Sequence, residues 1–178
     1  MPDTKNKLFL YEALELRAEY DARVKTLKDC LPETKQNRER FSFSRDDTVK
    51  RQPAPDFDIV TARELLRKLE LKRRKLNSAI QQANFNNHLE FGGNLISLSE
   101  ALEIRKGLNE RLGELHTQVV SSAYQKVIYK EGRDIVEQND LPYNESVKAL
   151  EEARFAFRDI NRKLRSASFT TIVDFEDE

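Results

Sequence analysis

The stretch "LYEALELRAEYDARVKTL", residues 10–27, returns later in the chain as "LSEALEIRKGLNERLGEL", residues 98–115. Leu10, Glu12, Ala13, Leu14, Glu15, Arg17, Arg23 and Leu27 all have identical counterparts in the second copy. At about 100° per residue, Leu10, Ala13, Leu14, Tyr20, Val24, Leu27 and Leu31 fall on one broad face, so the first copy is an amphipathic helix. It stops near Pro32, which has no N–H to continue the ladder and disfavours helical geometry in the residue before it.

The echo extends further. A second helix starts at Thr61, with Glu64 completing a capping box, and turns Leu65, Leu69, Leu76, Ile80 and Ala83 to one side. Its Leu66 and Asn77 recur as Leu150 and Asn161, and its Leu76 and Ile80 as Ile160 and Leu164, in a fourth helix over 145–167, while its Phe85 recurs as Phe169 just beyond that helix. The third helix is capped by Ser97 with Glu100 three residues on, and runs to about Tyr124.

Each half is therefore helix, long connector, helix, spanning 8–86 and 96–170. A helical hairpin that cannot bury its stripe alone is most simply completed by its copy. The expectation is an all-α fold: four long helices as two tandem hairpins in an antiparallel bundle with pseudo-twofold symmetry, forming one domain over 1–178. Between the halves, "HLEFGGNLIS" alternates apolar and polar residues around Gly92 and Gly93, and predicts a short β-hairpin. The connectors at 32–60 and 125–144 are read as irregular, with "RFSFS" a candidate short strand in the first. The tail "TTIVDFEDE" is read as acidic and loosely held at its end.

Composition narrows the functional classes. Charged residues make up 35% of 178, yet 31 basic and 31 acidic side chains give zero formal net charge. No global field draws the chain to nucleic acid or an anionic membrane, so both are unlikely partners. One cysteine, Cys30, excludes an intramolecular disulfide. The opening "MPDTKNKLFLYEALE" lacks the apolar core of a signal peptide, which points to the cytoplasm. No apolar run approaches the roughly 20 residues of a membrane-spanning helix.

No catalytic constellation emerges, and the reading is of a protein that is not an enzyme and carries no cofactor. No Glu-x-x-His pair precedes His88 or His116, one cysteine and two histidines do not make a zinc site, and no phosphate-cradling glycine loop opens a helix. His116 is read as a partly buried structural histidine. Cys30, beside Asp29, is not set up as a nucleophile.

Three groups of residues remain. Arg17 and Arg105 sit in the apolar arcs of their helices, and a buried guanidinium needs a partner. Asp21 lies one turn from Arg17, whereas Arg105 must find its acid on another helix; with Asn77 and Asn161 these residues form a candidate buried polar network or, alternatively, an anion site. Leu71 and its repeat equivalent Phe155 both face away from the core stripe, a candidate interface for a homo-oligomer, with a dimer favoured and a different protein partner also possible. The stretch "RKLELKRRK" places Arg67, Lys68, Lys72, Arg74 and Lys75 around one helix as candidate phosphate or nucleic-acid contacts, or as a solvated face whose stems cover the core edge and whose charge the acidic tail offsets.

"EALELRAEYDARVKTL", "LNSAIQQAN", the Gly-turn hairpin leading into "LSEALEIRKGL", and "FRDINRKLRSASFTTIVD" together resemble the septicolysin-like family of small bacterial proteins. The departures are Ser168-Phe169 in place of a closing Asn-Trp, different surroundings at Asn109, a longer first connector, and only a faint echo of one family stretch in "YQKVIYK". The resemblance implies a helical fold and a bacterial origin, brings no catalytic residues, and by the family's name suggests a membrane-active protein. The residues themselves point to a non-enzymatic helical scaffold that works through protein contacts.

Overall fold

The computed structural model describes residues 7–32, 53–130, 132–137 and 141–177. In chain order its elements are β1 (Leu8–Phe9), α1 (Leu10–Cys30), α2 (Ile59–Asn86), β2 (His88–Phe91), β3 (Asn94–Ser97), α3 (Leu98–Ser122), β4 (Lys126–Lys130), β5 (Arg133–Glu137), α4 (Tyr143–Ser168) and β6 (Ile172–Val173). Four long helices dominate, with small antiparallel strand pairs between them, and the fold is all-α with two helical hairpins in tandem. The chain gathers into two compact units, Met1–Gln81 with Ile172–Glu178, and Gln82–Thr171.

In the first unit, α1 begins where the Phe9 N–H donates to the Glu12 carboxylate at 2.8 Å. It ends at Cys30, just before Pro32, with the Leu31 N–H still reaching the Leu27 carbonyl. Leu10, Ala13, Tyr20 and Val24 are its buried residues. Leu14, expected on that face, is exposed, as is Leu65 on α2. The helices run antiparallel: Lys28 meets Glu70 at 2.7 Å, and Asp21, about two turns earlier, meets Arg73 further along α2 at 2.9 Å.

Two expectations need correction in this unit. The cap of α2 is Asp58 rather than Thr61: its carboxylate accepts the N–H groups of Val60 (3.0 Å) and Thr61 (3.2 Å), and the Thr61 hydroxyl donates to it as well. An acceptor one residue before the helix satisfies orphan donors that Thr61, already inside the first turn, cannot reach. The tail, read as loosely held, is anchored as far as Asp177: β6 pairs with β1, Val173 is buried, and Asp177 accepts from the Tyr20 hydroxyl.

Asp58→Ala is expected to fray the first turn of α2 and lower the Tm, with a smaller loss for Thr61→Val; an unchanged melting curve would refute the cap. The Thr61 hydroxyl and the two N–H groups hold the Asp58 carboxyl below its ordinary range. A depressed carboxyl contributes stability at pH above its unfolded value and loses it as pH falls through the folded one. The cap should therefore weaken only in acid.

In the second unit, the hairpin β2–β3 forms where expected, with Gly92 and Gly93 at φ of 60° and 80°. Ser97 caps α3 by accepting the Glu100 N–H at 3.1 Å. The α3–α4 hairpin is antiparallel, with Leu115, Leu150 and Ala153 buried together under Leu112, Val119 and Ala149. At its end, Gln118 donates to the Ser146 hydroxyl at 3.3 Å, and that fully buried hydroxyl donates to the Pro142 carbonyl at 3.2 Å. The connector read as irregular holds a second hairpin, β4–β5, with Gly132 at φ of 73°. The adjacent β-branched pairs Val127-Ile128 and Ile135-Val136 carry the strand propensity. The candidate strand "RFSFS" lies outside the described residues.

The repeat extends to the strands. Leu8 pairs with Val173 and Phe9 with Ile172, just as Ile96 pairs with Leu89 and Ser97 with His88. These are equivalent positions in the two halves. In both units the strand entering the first helix of a half pairs with a strand leaving the second.

Candidate functional site

The expected buried polar network is not assembled. Asp21 is engaged by Arg73 across the α1–α2 hairpin instead of by Arg17 on its own helix. Arg17 is half-buried, Asn77 likewise, and Arg105 is exposed. Arg105 needs no buried acid, because water solvates its guanidinium. Asn161 donates to the Phe157 carbonyl at 2.9 Å, a bond within its own helix.

A different polar cluster stands in the first unit. The buried Tyr20 hydroxyl donates to the Asp177 carboxylate, and Lys72 reaches the same oxygen at 3.0 Å. Tyr20 is held well above its ordinary range, first by burial and then by the carboxylate beside it. Asp177 is held low chiefly by the Tyr20 hydroxyl, with Lys72 adding to it. Glu70 is held low by Lys28. The cluster ties the tail to both helices. It reads as a latch, because its charges already satisfy one another.

The basic stretch of α2 is correspondingly divided. Lys72 is committed to Asp177 and Arg73 to Asp21, while Arg67, Lys68, Arg74 and Lys75 are exposed. The acidic tail thus offsets part of this charge. Arg73 Nε is buried without a hydrogen-bond partner among the described residues.

Leu71 on α2 is 46% exposed and Phe155 on α4 is 64% exposed. Arg158 lies over the Phe155 ring at 4.5 Å, so one face of that ring is covered by a cation. His116 is exposed, not partly buried, and His88 and Cys30 are exposed as well. Among the described residues no cluster of three or more histidine, cysteine or acidic side chains could hold a metal, and no helix is long and apolar enough to cross a membrane.

No family model matches the chain, and no curated protein does. The chain is similar in structure to a functionally unknown conserved protein from Corynebacterium diphtheriae, known from a crystal structure. The TM-score is 0.65 at 16% identity, covering 95% of this chain and 100% of that one. Likeness at that identity concerns the fold alone.

Sequence reasoning missed the Tyr20–Asp177–Lys72 latch and the β4–β5 hairpin. The hairpin had a signal, since two runs rich in β-branched residues flank Gly132. The latch had none beyond an acidic tail in a chain with a basic helix.

Proposed function

We propose that the protein is a non-enzymatic helical scaffold of the bacterial cytoplasm that works by self-association, with Leu71 and Phe155 as contact residues. The observation that carries this reading is that two large apolar side chains at equivalent positions of the repeat are both left in water. The motifs shared with the septicolysin-like family support placing the chain near that family and a bacterial origin.

The double variant Leu71→Glu with Phe155→Glu tests the proposal by light scattering at low and high salt. An assembly that is insensitive to salt in the unaltered protein and falls to monomer in the variant is the expected result. An unchanged mass would remove both residues from the interface. The scaffold reading also expects no dye release from liposomes; release would favour the membrane-active role that the family name implies.

A further inference from the structure

The repeat that makes Leu71 and Phe155 equivalent also reverses the charges around them. On a helix, the surface neighbours of a residue lie three and four positions away. Around Leu71 these are Arg67, Lys68, Arg74 and Lys75, all basic and all exposed. The same places around Phe155 hold Glu151, Glu152, Arg158 and Asp159, so three of the four have changed sign. Arg158, the exception, lies over the Phe155 ring. Glu151 pairs with Arg154 along α4, and Asp159 with Arg162 and Lys163. Exposed pairs of this kind contribute little, so cations of another surface can compete for both acids.

Charge decides which apolar centre suits which. Laying α2 on α2 of a second copy, with Leu71 on Leu71, opposes basic residues alone. Laying α4 on α4, with Phe155 on Phe155, opposes like charges as often as unlike ones. Laying α2 on α4 does better in either direction. With the helices parallel, Arg67 meets Glu152, Lys68 meets Glu151 and Arg74 meets Asp159, and only Lys75 meets a like charge, at Arg158. With the helices antiparallel, Lys68 meets Asp159, Arg74 meets Glu151 and Lys75 meets Glu152, and only Arg67 meets Arg158.

We infer that self-association is heterotypic: α2 of one copy lies against α4 of a second, with Leu71 on Phe155 inside a ring of opposite charges. This rests on the reading of Leu71 and Phe155 as contact residues. Their apolar contact supplies attraction that salt leaves in place. The charges select the partner face, since complementarity of charge governs specificity more than affinity, and like charges bar the pairing of α2 with itself. Each copy thus carries two unlike faces that fit each other.

Mixing single variants of the full chain, followed by light scattering, tests the pairing. Leu71→Glu alone and Phe155→Glu alone are each expected to be monomeric, because each lacks one member of the pair. Mixed in equal amounts they are expected to form a heterodimer, through the intact α4 face of the first and the intact α2 face of the second. Glu151→Lys with Glu152→Lys is expected to raise the dissociation constant of the otherwise unaltered protein about tenfold at low salt. Adding Arg67→Glu with Lys68→Glu to that chain restores assembly for parallel helices, and adding Arg74→Glu with Lys75→Glu restores it for antiparallel ones.

One single variant that stays assembled while the other falls to monomer would show a contact between like faces and overturn the inference. So would a mixture that remains monomeric, or a loss at Glu151 and Glu152 that neither exchange recovers. If Leu71→Glu with Phe155→Glu keeps its mass, the contact residues themselves are wrong. If that double variant falls to monomer and the mixture of single variants does not reassemble, only the pairing of α2 with α4 is wrong.

Discussion

Leu76→Ala and Ile160→Ala are each expected to lower the free energy of unfolding by about 2–5 kcal/mol, read from urea denaturation at constant slope. Both side chains are 0% exposed, and they are equivalent residues of the repeat, one on α2 and one on α4. Truncation removes the transfer free energy of the lost methyl and methylene groups and leaves a cavity that helices held by other contacts close only in part. Leu71→Ala, on the same helix as Leu76 but exposed, is expected to change stability by no more than about 0.5 kcal/mol. Equal losses at Leu71 and Leu76 would mean that the burial pattern of α2 is wrong.

Deletion of Ile172–Glu178 is the second large effect. Val173 is 2% exposed, and so is Tyr20, whose hydroxyl donates to Asp177. Losing the burial of one aliphatic side chain and stranding one buried hydroxyl together suggest a loss of about 3–5 kcal/mol. The deletion also frees the backbone of Leu8 and Phe9, which pair with Val173 and Ile172. Asp177→Asn retains an acceptor for Tyr20 and should cost less.

The pH dependence has a definite sign. Asp177 is held below its ordinary range, so its contribution is complete above the unfolded carboxylate value and disappears as acid takes the pH through the folded one. The difference in stability between Asp177→Asn and the unaltered protein should therefore shrink in acid. A constant difference would show that the latch is not charged. Tyr20, held high, stays protonated and keeps donating throughout that range.

Much of the fold was legible because helices announce themselves locally. The period of the apolar residues, Ser97 as a cap and the Gly92-Gly93 turn are each short-range signals, and each has its counterpart in the structure. Boundaries failed where two caps competed: Thr61 with Glu64 matched a motif, but Asp58 lay nearer the orphan N–H groups. The wheel placed Arg105 in an apolar arc, yet a wheel shows only a side of the helix and not what lies against it. Strands β1 and β6 were invisible, because two-residue strands have no period and their pairing joins residues at opposite ends of the chain. Asp177 was missed for the same reason. A contact with Tyr20 across so much chain leaves no mark in any local window.

The pairing of β1 with β6 has a consequence for biosynthesis. The second unit, Gln82–Thr171, is one uninterrupted piece of chain, whereas the first is made of two pieces that flank it. A ribosome has to synthesise all of the second unit before it reaches the strand that the first still lacks. The part begun first is thus completed last, and until then α1 waits with Tyr20 facing a missing acceptor.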